Sequence, residues 1–336
     1  MARRFPEGDK ASRAFPDGSK TARLYPAGTK VKRNFPVEAA KEAGSSDDDF
    51  VAKCKQSDNL YALWSCRDHD VSDALNDGEA GMSDISGNDR PNIIVELASS
   101  GNWQLENSAP PTASADSFPS LAKYLSCDAH ETDTNNYAAL ASALGAAPVS
   151  AGDVYSGFVI FYASAITNNQ KLEIASFTGT AATPAGSGQD NALALYNFRY
   201  WLGNRTEFGY TDTAAGLTGR AHTTDDRSGQ WWFYGFRAHA VEGESNTADV
   251  DRITAYVQEI DTSGGSNDWG TKQSSFYNSW NAYQTYSILK TGLRLGYAST
   301  ETQATARWAA IGLFTGDIGV GDSGVTLKTI YESRIG

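Results

Sequence analysis

The chain is short of cysteine, methionine, basic charge and long apolar runs. Its three cysteines, Cys54, Cys66 and Cys127, cannot close a disulfide framework, and no two stand in CxxC spacing. They read as small buried hydrophobes in a protein assembled in a reducing cytoplasm. No stretch approaches the ~18–20 apolar residues of a membrane span. The start, Met1-Ala2-Arg3-Arg4, leads into no apolar segment, so the chain reads as one without a secretory signal. Lys and Arg total 28 against 40 Asp and Glu, a net charge of −12. Bulk nucleic-acid binding needs a basic face, and this balance disfavours it. Catalytic motifs are missing as well: no Walker A, no GxGxxG after a strand, no HExxH and no Gly-x-Ser-x-Gly. The four histidines, His69, His130, His222 and His239, are too scattered to announce a zinc site.

What is abundant points to β structure. The 336 residues include 32 Gly, 8 Trp, 16 Tyr and 14 Phe, with 40% hydrophobic residues, enough for a core. The first forty residues repeat with period ten: MARRFPEGDK, ASRAFPDGSK, TARLYPAGTK, VKRNFPVEAA. Arg3, Arg13, Arg23 and Arg33 recur, each followed two residues later by Phe5, Phe15, Tyr25 or Phe35 and then by proline. Pro sets φ for a turn and Gly accepts positive φ two residues on, so each unit reads as an extended piece ended by a tight turn. Such a ribbon buries little of its own surface and calls for a partner. Nine basic against four acidic side chains give residues 1–40 a charge of +5, which leaves −17 on the rest. A docking arm onto an acidic protein surface, a solvated basic tail and a nucleobase-stacking arm all fit these residues. Residues 41–50 read as a polar linker and 51–336 as one domain.

Alternation and β-branched or aromatic content predict strands at Gly157–Ile166, Leu172–Phe177, Ala192–Leu202, Trp231–Val241, Arg252–Ile260, Tyr283–Leu289, Gly292–Tyr297, Ala306–Leu313 and Val325–Tyr331. Turn clusters include Gly203–Asn204 and Gly316–Gly324, and one helix is expected around Asn136–Leu144. Many strands without alternating long helices indicate an all-β antiparallel sandwich. On this basis the order of segments resembles a concanavalin A-like, laminin-G-type jelly roll over roughly residues 55–336. The resemblance is carried by Leu60-Tyr61-Ala62-Leu63-Trp64, the turn Asp84-Ile85-Ser86-Gly87-Asn88, the strand Gly157-Phe158-Val159-Ile160-Phe161-Tyr162, Leu293-Arg294-Leu295-Gly296 and a closing segment Trp308–Gly316 to Val325–Tyr331. It implies a concanavalin A-like jelly-roll sandwich, and calcium ligation by loop oxygens would fall on Asp84, Asn88 and Asp89. A turn-forming role is the competing reading for that loop.

The chain departs from the superfamily's laminarinase-type hydrolases. Glu259-Ile260-Asp261 resembles the start of their acidic motif, but Thr262-Ser263-Gly264-Gly265 follows and no third acid arrives. A retaining mechanism needs two carboxyls about 5 Å apart on one face. The expectation is a non-enzyme without cofactor. Alternation on two long strands leaves Asn197, Arg199, Trp201, Arg237 and His239 opposite the inter-sheet core. Were the strands neighbours, these five would form one polar-aromatic face for a glycan or a neighbouring subunit. An N-terminal anchor followed by a lectin-like sandwich resembles the architecture of tailed-phage fibre and decoration proteins. That resemblance implies a structural component of a virion, made in the host cytoplasm. It would be held to other virion proteins through residues 1–40, present as a homo-oligomer, and in contact with a cell-surface glycan. The rival is a free glycan-binding lectin-like protein or a degenerate glycoside hydrolase.

Overall fold

The computed structural model describes residues 20–24, 30–33, 47–72, 74–97, 103–107, 120–127, 137–142, 144, 154–164, 171–178, 192–200, 203–212, 217–223, 228–239, 253–260, 273–276, 292–298 and 305–333. The chain divides into two units, Met1–Ser46 and Asp47–Gly336.

In the first unit, β1 (Lys20–Leu24) and β2 (Lys30–Arg33) pair antiparallel, with Arg23 opposite Val31 and Leu24 opposite Lys30. Each strand starts at the lysine that ends one repeat and runs through the arginine of the next. The segment Tyr25-Pro26-Ala27-Gly28-Thr29 therefore connects them, at the place expected for a turn. Arg3, Phe5, Arg13, Phe15, Tyr25 and Phe35 lie outside the described residues.

The second unit runs α1 (Asp49–Lys55), β3 (Leu60–Ser65), β4 (Ala80–Asp84), β5 (Ile93–Glu96), β6 (Trp103–Glu106), β7 (Tyr124–Cys127), β8 (Tyr137–Leu140), β9 (Val154–Ala163), β10 (Lys171–Thr178), β11 (Ala192–Tyr200), β12 (Gly203–Asp212), β13 (Leu217–Thr223), β14 (Trp231–His239), β15 (Ile253–Ile260), β16 (Gln273–Phe276), β17 (Gly292–Leu295), β18 (Tyr297–Ala298), β19 (Ala306–Phe314) and α2 (Leu327–Ser333). Every pairing among the described strands is antiparallel. Sheet I has the order β16–β15–β14–β9–β19, and the far edge of β19 is shared by β3 and β7, with β6 beyond β7. Sheet II runs β13–β12–β11–β10, then β17 beside β18, then β8, β5 and β4 from β17. One strand links the two: β4 pairs with β5 in sheet II and with the end of β3 in sheet I. The all-β antiparallel sandwich expected from the pattern is therefore the fold of this unit.

Alternation assigns the faces of β14 correctly. Trp232, Tyr234 and Phe236 enter the inter-sheet core with Trp64, Trp103, Trp308, Leu293 and Leu295. Trp103 and Trp308 stack at 5.5 Å, and the Trp308 indole donates to the Ile174 carbonyl at 2.7 Å. Gly296, at φ +70°, interrupts the expected strand Gly292–Tyr297. A Cβ there would lie 2.9 Å from the Trp103 ring, so both the backbone angle and the indole demand glycine.

Trp231 and Phe233 face the other way, into a second apolar layer on the outer side of sheet I. The two helices cover one end of that side. Phe50 of α1 meets Phe158 edge-on at 5.7 Å, Phe158 stacks on Phe233 at 5.1 Å, and Tyr331 of α2 caps Phe233 at 5.5 Å. Asp48 caps α1 through its carboxylate, which accepts from Val51 N at 3.0 Å and from Ser120 N at 2.9 Å.

Four expectations need correction. Val325–Tyr331 is not a strand: α2 occupies it, because Leu327, Ile330 and Tyr331 share one helical face and Thr326 and Thr329 hydrogen-bond each other's backbone N–H. Its β-branched composition was outweighed by packing. The helix expected at Asn136–Leu144 is absent, since Tyr137–Leu140 forms β8 between β5 and β17, where pairing overrides alanine's helix preference. Gly203–Asn204 is not a turn but the start of β12, with Gly203 opposite Tyr200. The compact unit begins at Asp47, and α1 spans the expected linker boundary at residue 50. The expected strand Tyr283–Leu289 lies outside the described residues.

Candidate functional site

Of the residues expected to form one outer face, the four that lie in described strands are split between the two sheets. Asn197 and Arg199 lie on β11 in sheet II, between β10 and β12, whereas Arg237 and His239 lie on β14 in sheet I, between β9 and β15. Trp201 lies outside the described residues. Alternation specifies which face a side chain takes but not which strand lies beside it, and here the two strands belong to different sheets. Arg237 is half-buried, and its guanidinium is held by Asp317 at 2.6 Å, in the segment leading to α2.

The loop expected to bind calcium is a tightly bonded turn. One Asp84 oxygen accepts from Leu63 N at 3.1 Å and Ser86 N at 3.0 Å; the other accepts from the Ser86 hydroxyl and Arg90 N, both at 2.9 Å. The Asn88 amide donates to the carbonyls of Leu60 and Tyr61. Asp89 sits at φ 52°, in the left-handed region that Asp tolerates. The carboxylate most suited to a cation is thus committed to backbone donors, which is the turn-forming alternative. Among the described residues, no three His, Cys, Asp or Glu side chains gather as a metal site.

Two further groups have catalytic residue types. His69 Nε2 is 2.8 Å from the Ser83 hydroxyl, but among the described residues no carboxylate bonds its other ring nitrogen. Burial holds the His69 pKa below its ordinary value, and the Lys123 ammonium, which donates to the His69 carbonyl, pushes the same way. Glu259 is exposed at the end of β15, and Asp261 lies outside the described residues. All three cysteines are buried, and burial pushes the Cys54 and Cys66 thiols up, away from reactivity.

The most distinctive polar-aromatic arrangement lies at the other end of sheet I's outer face, beyond the helices. Strand register places Gln104, Ser126, Arg307, Tyr162, Trp231 and Ile260 in one row across β6, β7, β19, β9, β14 and β15. The Arg307 guanidinium carbon lies 5.1 Å from the Tyr162 ring centre and 5.4 Å from that of Tyr124. Trp231 closes the group, 6.0 Å from Tyr162 and 5.3 Å from Tyr124. The Tyr124 hydroxyl donates to Glu106 at 3.2 Å. Arg307 and Tyr162 are half-buried; Tyr124 and Trp231 are buried. Arg307 makes no ion pair with a described residue, and its Nε and the Ser126 hydroxyl are buried without hydrogen-bond partners. Cation–π contact holds the guanidinium, and its Nε–H has no acceptor among the described residues.

A bulge builds this row. Between Trp308 and Ala310 the pairing of β19 with β9 shifts by one residue. Trp308, Ile311 and Leu313 consequently all face the inter-sheet core, although their spacing breaks strict alternation, and Arg307 is left outward. Sequence reading passed over Arg307, Tyr162 and Tyr124 for this site because the row draws on six separate segments. The legible signal was the outward parity of Tyr162 and Trp231 on their own strands.

No protein-family model matches the chain, and no curated protein matches it. Solved structures with similar architecture include the receptor-binding domain of botulinum neurotoxin D, at TM-score 0.46 and 9% identity, covering 84% of this chain and 53% of that one. Another is domain 4 of a GH43 extracellular arabinanase from Geobacillus stearothermophilus, solved with arabinotriose, at TM-score 0.45 and 11% identity, covering 82% of this chain and 98% of that one. The chain spans about half the length of the toxin-domain chains it matches. The likeness is one of all-β architecture, which the strand pairing establishes independently. No described helix is long and apolar enough to cross a membrane.

Proposed function

We propose that this chain is a non-enzymatic structural component of a tailed-phage virion. Residues 1–40 anchor it to other virion proteins, and the lectin-like sandwich contacts a glycan on the host surface through the Arg307, Tyr162 and Trp231 row. The observation that carries the glycan reading is that row. The half-buried Tyr162 ring beside the Arg307 guanidinium, whose Nε has no hydrogen-bond partner among the described residues, offers stacking surface and planar hydrogen bonding together, which is what sugar rings and their hydroxyls use. The anchor reading rests on the Arg-x-aromatic-Pro repeat, its charge of +5 beside −17 on the remainder, and the β1–β2 hairpin that follows the repeat period. Several copies would act together, so weak single-site contacts gain avidity.

A free lectin-like protein or a degenerate glycoside hydrolase is the second reading; the charged decapeptide repeat favours the anchored one, since a free lectin has no use for it. The test is assembly of particles with the chain lacking residues 1–40, alongside glycan-array binding of the full chain. The truncated chain should fold, bind saccharide and fail to incorporate. Normal incorporation would overturn the anchor; a full chain that binds no saccharide would overturn the glycan contact.

A further inference from the structure

We infer that the Arg307 site selects carboxylate-bearing saccharides over neutral ones. The inference rests on the glycan-contact reading and names the sugar class for that site. Three observations carry it. The guanidinium has no acidic partner among the described residues, although the protein as a whole is strongly acidic, with 40 Asp and Glu. A half-buried cation is costly where no counter-charge meets it, and an anionic ligand removes that cost. The Ser126 hydroxyl, directly opposite Arg307 in the β7–β19 register, is a second hydrogen-bonding group without a partner. Tyr162, half-buried on the opposite neighbour and held in place by the buried Trp231, adds ring surface beside the charge. A guanidinium meets a carboxylate through two parallel hydrogen bonds, a geometry that a sugar hydroxyl cannot match. A uronic acid or another carboxylated sugar presents such a group together with an apolar ring face for the aromatic side chains.

The acidic body sharpens the argument. A net charge of −12 repels polyanions at long range, so affinity for an acidic sugar must come from this local contact and not from general attraction. Recognition should therefore be visible with short ligands and should survive moderate salt.

The experiment is titration calorimetry of the full chain with trigalacturonate, its methyl ester and maltotriose, repeated with Arg307→Gln and Arg307→Lys. An acetylated peptide ending in Glu-Glu serves as a protein-type carboxylate. The expected result is trigalacturonate binding at least about tenfold tighter than its methyl ester. Arg307→Gln should erase that preference, and Arg307→Lys should restore part of it, with melting temperatures near that of the parent. Equal binding of the acid, ester and neutral sugar would overturn carboxylate selection while leaving glycan contact standing. Binding of none of the three sugars would overturn both. Tighter binding of the peptide than of trigalacturonate would overturn the inference in favour of a protein partner.

Discussion

The two ends of sheet I's outer face carry similar buried rings and differ in what stands among them. At one end, Phe158, Phe233 and Phe314 lie under Phe50 of α1 and Leu327, Ile330 and Tyr331 of α2. At the other, Tyr124, Tyr162 and Trp231 surround a guanidinium with no described counter-charge. The difference is what covers each end. A helix can satisfy its own backbone and lay an apolar stripe over phenylalanines, which makes that end a second core. Where the helices stop, tyrosine, tryptophan and arginine take over, residues that combine apolar surface with hydrogen-bonding groups. Cover turns an aromatic sheet face into core, and contact surface is left only at side chains that stay half-buried, here Arg307 and Tyr162.

The largest test of this contrast is Phe158→Ala at the covered end. Removing a fully buried ring there should cost about 3–5 kcal/mol, read by denaturant unfolding. A cost below about 1 kcal/mol would mean the helices do not seal that end. Next comes Asp48→Ala, which removes the cap of α1 and its bond to Ser120 N. Loss of about 1–2 kcal/mol is expected, with earlier proteolysis near residues 47–56. At the open end, Arg307→Gln should change stability by no more than about 1 kcal/mol while binding suffers. If it unfolds the protein as Phe158→Ala does, the open end is core and the comparison collapses.

The smallest effect is a pH dependence. The folded protein holds His69 below its ordinary value of 6.5, chiefly through burial, so the neutral ring is the form it stabilises. For a group depressed on folding, the contribution is complete above the unfolded value and is lost as pH falls through the folded one. Stability should therefore decline from about pH 6.5 downward, and His69→Gln should flatten that stretch of the curve. Asp47 adds a separate acid limb. Burial opposes its ionisation, but hydrogen bonds from Lys55 and Arg67 win and hold it below 3.8, so its contribution fades at lower pH. A slope just below pH 6.5 unchanged by His69→Gln would assign that limb to another group.

Much of this fold is written locally. The ten-residue repeat announces strand–turn–strand pieces, and β1 and β2 follow its period. The parity of Trp231 to Phe236 sorts core from outer face, because successive strand side chains point to opposite sides whatever lies next to them. The turn chemistry of Asp84, Ser86 and Gly87 is legible for the same reason: the hydrogen bonds between Asp84 and Ser86 span two residues, while those to Leu60, Tyr61 and Leu63 come from the fold.

Other features depend on distant residues. The composition of Val325–Tyr331 suits a strand, yet the segment becomes α2 because Leu327, Ile330 and Tyr331 find sheet I beneath them. The expected face of Asn197, Arg199, Arg237 and His239 failed because neither strand's sequence says which sheet it joins. The candidate site is more hidden still. Arg307 faces outward only because a bulge at Ala309 absorbs one residue so that Trp308, Ile311 and Leu313 can all reach the core. Residue spacing within a strand is determined by backbone geometry and can be read from the sequence. Strand order, register and cover are determined by competition among many long-range burials, and only the tertiary structure decides them.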